Sequence, residues 1–221
     1  MSVLLSKLLQ WTKPAEHYYY ASTLSSLAAI QQRPINIAIH ERKPPAGLKE
    51  SINSLVNSSF IGFESTVRVD NEVRLQIERR FIDKSILPIH ALNPLIEDIE
   101  LLIYQFAAIS KAEQVRVHLK TIVNDACRKF HIDGYDLRLL CSYAGPGTEW
   151  TYNENVNRRY LGEGTNEQIV KDWGYINQLK SYDVVILKGE LPHKRTGNGI
   201  VHRSPEIEQS KEMRLVLRID C

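Results

Sequence analysis

The chain has 221 residues, 43% hydrophobic and 24% charged, with a formal net charge of +2 at pH 7. Such a composition is that of an ordinary globular protein long enough to bury a core, and it excludes a highly charged, disordered chain. No long lysine and arginine run supports nucleic-acid binding, and the longest apolar runs fall well short of the ~20 residues that a membrane span needs.

Residues 1 to about 30 read as helical, most clearly in STLSSLAAIQQ. The start, MSVLLSKLLQW, lacks a basic region and a small-residue cleavage site and is not read as a signal peptide. INIAIHER alternates, with Ile35, Ile37 and Ile39 on one side, as a half-buried strand does. KPPAGLKESINSLVNSSF breaks at its prolines and resumes as a helix, and a further helix falls around NEVRLQIERRFIDKS. NPLIEDIELLIYQFAAISKA carries the strongest helical signature. Asn93 suits the N-cap and Pro94 the first helical position. Glu97 and Asp98 sit near the positive end of the dipole, and Leu95, Ile99, Ile103 and Phe106 form a core-facing stripe.

After Lys111 the texture changes. VRVHLKTIV alternates, with Val115, Val117, Leu119, Thr121 and Val123 on one face. YDLRLLCSY, YDVVILKGE and MRLVLRID read as further strands, and NEQIVKDWGYINQLK as the place for a short helix. The expected fold class is therefore α+β. Residues 1–111 form a helix-rich region packed on a sandwich or jelly-roll barrel spanning 112–221, the two making one structural unit. Cys127, Cys141 and Cys221 are odd in number and widely spaced, which argues against a disulfide framework and for a cytoplasmic location.

The chemistry concentrates in FHIDGYDLRLLCSYAGPGTEW. On a strand, His131 and Asp133 project to one side and can reach one cation. Asp133-Gly134 is equally good turn chemistry. A third ligand must come from elsewhere. His193 sits in a surface-loop context, LPHKRTGNG, whereas His202 stands where a strand ends, after Ile200-Val201. Beyond it, Arg214, Val216 and Arg218 share one face of a strand, with Leu215, Leu217 and Ile219 on the other. A sulfur-containing alternative joins Cys127 to His131 and Asp133, with Cys141 near, although no C-x-x-C pair supports it. AGPGTEW lacks the spacing of a phosphate cradle; Gly145, Pro146 and Gly147 suit a tight reversal, Trp150 a structural role, and Glu149 a rim. No nucleophile elbow surrounds Ser204.

The order His-x-Asp, a β-rich interval, a distal histidine and then a strand arginine resembles the double-stranded β-helix dioxygenases that use Fe(II) and 2-oxoglutarate. That resemblance implies a cupin-like jelly roll, with His131, Asp133 and His202 as metal ligands. It further implies that Arg214 clasps the far carboxylate of 2-oxoglutarate, with Arg218 on the same face as the fallback. Arg214 stands slightly further from the distal histidine than is usual there. In addition, CRKFHID, RLLCSYAGPGTEW, DVVILKGE and VHRSP, in that order, resemble a bacterial domain-of-unknown-function family whose members accompany zinc-homeostasis genes. The resemblances imply an Fe(II)/2-oxoglutarate oxygenase hydroxylating a small-molecule or protein substrate. The alternatives are a non-enzymatic metal-binding protein of the same fold linked to zinc, and a structural barrel whose site has decayed.

Overall fold

The structure, a computed structural model, describes residues 16–221 apart from 126, 192, 194–196 and 211. Its larger sheet has seven strands in the order β1 (Tyr18–Tyr20), β2 (Ile37–His40), β8 (Val184–Lys188), β5 (Leu137–Ala144), β10 (Arg214–Asp220), β4 (Gln114–Ile122) and β3 (Gly62–Arg68). The β1–β2 pair is parallel and the other pairs are antiparallel. A smaller antiparallel sheet has the order β7 (Ile176–Gln178), β6 (Glu149–Thr151) and β9 (His202–Arg203).

Alternation along each strand sets the layers. Val115, Val117 and Leu119 of β4, Leu139, Cys141 and Tyr143 of β5, and Leu215, Leu217 and Ile219 of β10 all enter one core. That core is closed by α1 (Leu48–Val56), α2 (Val73–Lys84) and α3 (Ile89–Ser110), through residues such as Ile52, Phe81, Ile99 and Phe106. On the opposite face Ile37, Ile39, Leu140, Val185 and Leu187 pack against Trp150 of β6, Leu179 and Ile200. The α+β expectation is met as helices, large sheet and small sheet in layers, the two sheets facing each other in jelly-roll manner. Among the described residues their ladders do not join into a closed ring. No helix among them is long and apolar enough to cross a membrane.

Helix α3 is pinned to the sheet by a buried polar group. Arg42 donates to both oxygens of Asp98, at 2.5 and 2.7 Å, and the Tyr143 hydroxyl donates to Asp98 Oδ2 at 2.7 Å. Tyr143→Phe is expected to destabilise the fold by about 2 kcal/mol, the scale of one hydrogen bond to a charged acceptor, as read in a denaturant titration.

The structure departs from the sequence reading at several elements. Tyr18–Tyr20 is an edge strand, and Ser25–Gln31 is a 3-10 helix. Pairing with β2 overrides local helical propensity there. The helical reading of residues 1–15 lies outside the described residues. Helix α3 begins at Ile89, because Pro88 is extended (φ −67°, ψ 142°) and serves as the N-cap. Pro94 falls inside the helix, where it removes one backbone bond. Asn93 caps nothing; its side chain accepts from Arg74 at 3.1 Å. The short helix in NEQIVKDWGYINQLK is α4 (Asn166–Ile169), after which the segment becomes β7. Strands β1, β2 and β3 come from the first 111 residues, so the large sheet draws on both halves of the chain.

Candidate metal centre

His131 and His202 lie directly opposite each other on an antiparallel bridge, each backbone N–H donating to the other's carbonyl at 3.0 Å. The flanking Phe130 and Val201 point away into a common apolar cluster with Val156, Ile169 and Val170. This turns both imidazoles the other way, with ring centroids 4.6 Å apart. Asp133, two residues on, projects to the same side. Its segment lies against Gly189, where a Cβ would collide with the carbonyl oxygens of Asp133 and Tyr135.

The ring nitrogens are oriented by carbonyls. Nδ1 of His131 is 2.8 Å from the Lys129 oxygen, and Nδ1 of His202 is 3.3 Å from the Ile200 oxygen. With Nδ1–H donating in each, Nε2 keeps its lone pair for the site. Nε2 of His131 is 3.6 Å from Asp133 Oδ1, and Nε2 of His202 is 3.4 Å from Asp133 Oδ2. One ligand atom from each residue lies within 4.8 Å of the others. The 3.6 and 3.4 Å separations approach the ~3 Å between adjacent ligands on one ion with bonds near 2.1 Å, so the donors converge and need only a small inward shift to share an ion.

The carboxylate supplies the test of fit. Asp133 Oδ2 is buried and has no hydrogen-bond partner among the described residues. Its Oδ1 meets Arg138 Nη1 at 2.5 Å, and Arg138 Nε donates to Asp220 Oδ1 at 2.5 Å. Arg138 thus occupies Oδ1 and leaves Oδ2 as an orphaned acceptor 3.4 Å from His202 Nε2. A cation satisfies that acceptor, so the donor set fits a metal. Burial raises the Asp133 carboxyl, yet His131, His202 and Arg138 outweigh it and hold it well below the usual carboxylate range. Burial lowers His131, but Asp133 and the Lys129 carbonyl reverse this and raise it. Protons therefore compete for His131 from a higher pH than for free imidazole, near 6.5. Metal occupancy should accordingly fall as pH drops through that range, measured as metal content after desalting at a series of pH values.

His131, Arg138, Leu140, His202, Arg214 and Val216 line a cavity of about 520 Å³ between the sheets. Arg214 is 1% exposed. Its Nε donates to the Pro146 carbonyl at 2.7 Å, and its Nη2 lies 3.3 Å from Ser142 Oγ and 3.5 Å from Thr148 Oγ1. Among the described residues no carboxylate pairs with it. Burial lowers its pKa to about 10 against the pull of Glu149. Arg218 is engaged differently, 3.1 Å from Asp220 Oδ2 and 2.9 Å from His118 Nε2.

Other candidates fall elsewhere. Cys141 is on the helix side of β5, so strand alternation keeps it out of the cluster, and Cys127 is exposed at the cavity wall. His193 is exposed in a turn. Trp150 is buried, and Glu149 pairs with Arg203 at 2.6 Å. AGPG is a reversal between β5 and β6 that also delivers the Pro146 carbonyl to Arg214. Sequence reasoning missed Arg138, Ser142 and Thr148. An arginine at an alternate position of the apolar run LRLLC is a signal for Arg138, since a buried cation demands partners.

The chain belongs to the family described as protein of unknown function (DUF1826), which matches residues 21–220. No curated protein matches it. Among solved structures it is similar to the dioxygenase for auxin oxidation from rice, with 12% identity over 89% of this chain and 76% of that one, at a TM-score of 0.48. It is also similar to a Pseudomonas putida prolyl-4-hydroxylase, with 10% identity over 90% and 94% of the two chains and a TM-score of 0.46. For the Fe(II)/α-ketoglutarate-dependent dioxygenase TqaL the identity is 11%, over 80% and 74%, and the TM-score is 0.42.

Proposed function

We propose that this chain is a metal-dependent oxygenase of the Fe(II)/2-oxoglutarate type that hydroxylates a small-molecule or protein substrate. The carrying observation is that a buried guanidinium, Arg214, which no carboxylate pairs with among the described residues, lines one cavity with His131 and His202, the two histidines that converge with Asp133. Two histidines and one carboxylate are the donor set that suits ferrous iron while leaving positions for other ligands. Iron held by His131, Asp133 and His202 would supply dioxygen activation, with 2-oxoglutarate oxidised to succinate and carbon dioxide as the co-substrate.

The chain's own residues do the rest. His131 and His202 present Nε2 because backbone carbonyls hold Nδ1. Arg138 fixes the Asp133 carboxylate by its other oxygen. Arg214 meets the distal carboxylate of 2-oxoglutarate through a guanidinium–carboxylate pair, flanked by the Ser142 and Thr148 hydroxyls. Leu140 and Val216 line the space between and limit water. A zinc-handling role at the same ligands has no use for Arg214, which favours the oxygenase. The test is anaerobic calorimetry of 2-oxoglutarate into Fe(II)-loaded protein, followed by succinate release in air. Absence of 2-oxoglutarate binding overturns the proposal.

A further inference from the structure

The co-substrate uses one end of the cavity, and a second cationic end is left over. Arg214 and Arg218 share a face of β10 four residues apart, a step of ~13 Å along a strand. Arg214 and Arg218 have separate partners, Pro146, Ser142 and Thr148 for the first and Asp220 and His118 for the second, so Arg218 is not needed to clasp the co-substrate. Lys120 stands opposite Val216 in the β4–β10 register and also lines the cavity. It is exposed and forms no ion pair among the described residues. Arg218 pairs with Asp220, which Arg138 also uses alongside Asp133. Among the described residues lining the cavity the only carboxylate is Glu64, itself 3.3 Å from His118 and 3.9 Å from Arg116. The wall therefore keeps a cation, Lys120, that no carboxylate pairs with among the described residues and that 2-oxoglutarate at Arg214 does not reach in this reading, and such a charge in a concave site attracts ligands of the opposite sign. Beside it lie apolar side chains. Ile61 and Ile122 line the same cavity, and Ile61 is 77% exposed.

We propose that the primary substrate is an organic oxyanion with an apolar body, its anionic group held by Lys120 and Arg218 and its body lying on Ile61 and Ile122. This rests on the oxygenase reading, which assigns Arg214 to 2-oxoglutarate. A cationic substrate is disfavoured, because it would meet Lys120 and Arg218. A guanidinium offers two parallel donors to a carboxylate or phosphate, and a nearby ammonium adds a point charge.

The probes are octanoate, octyl phosphate and octanol, titrated anaerobically by calorimetry into protein loaded with Fe(II) and 2-oxoglutarate. The anions should bind at least about tenfold more tightly than octanol, the scale of one charge-assisted contact. The stronger of the two anions identifies the headgroup. Lys120→Ala, at an exposed site safe for folding, should weaken both anions by about tenfold and leave 2-oxoglutarate affinity unchanged. Arg218→Met should act in the same direction, with its fold checked by a thermal melt because Asp220 loses a partner. Equal binding of octanol and the anions overturns the inference, as does Lys120→Ala without effect on the anions. If 2-oxoglutarate fails to bind but the Lys120-dependent preference for anions persists, the oxygenase reading falls and the anion site stands. If 2-oxoglutarate binds and the probes do not differ, only the substrate inference falls.

Discussion

Asp133→Asn protein is expected to fold and to lose ferrous-ion affinity by at least about a hundredfold, since removal even of a ligand's supporting partners weakens binding 10–100-fold. The amide keeps the shape of the carboxylate and brings no charge to a cation. In the metal-free protein the change weakens the buried ion pair with Arg138. It replaces a buried oxygen without a partner and one of the two carboxylates that hold Arg138, while Asp220 keeps the other. The melting temperature without metal should therefore fall somewhat, and the rise in melting temperature on adding Fe(II) should vanish. His202→Ala should reproduce the loss, because the backbone bridge to His131 does not depend on the imidazole. Unchanged Fe(II) affinity in both variants removes these residues from the ligand set and the oxygenase reading with them.

Pattern made part of this legible in sequence. Alternation in MRLVLRID separates Arg214, Val216 and Arg218 from Leu215, Leu217 and Ile219, and the leucine face indeed packs under the helices. The pairing of His131 with His202 was not legible from spacing. It depends on a bridge between segments 71 residues apart, fixed by Phe130 and Val201 burying on the far side. The role of Arg138, an arginine inside an apolar strand, follows only from Asp133 and Asp220 on either side of it in the fold. A three-residue edge strand such as Tyr18–Tyr20 has too little length for a period, and its partner β2 decides its conformation. At α3, Asn93-Pro94 is a good local start signal, whereas the extended Pro88 sets the actual boundary.

Arg214→Met is expected to leave Fe(II) affinity intact and to lower 2-oxoglutarate affinity by about a hundredfold or more, the scale of truncating one side of a buried charged pair. The two effects separate because the hydrogen bonds of Arg214 among the described residues go to Pro146, Ser142 and Thr148 and not to the ligand residues. Arg214→Lys should fail to restore binding, since an ammonium cannot offer the paired donors of a guanidinium. The metal-free fold should tolerate methionine, because the substitution removes a buried cation that no carboxylate pairs with among the described residues, even though it leaves the Pro146 carbonyl without its donor. Calorimetry with Fe(II) under anaerobic conditions reads both affinities on one sample. If Arg214→Met binds 2-oxoglutarate as wild type does, the guanidinium is no anion clamp. The three-ligand site would then lose the feature that distinguishes an oxygenase from a protein that only holds a metal.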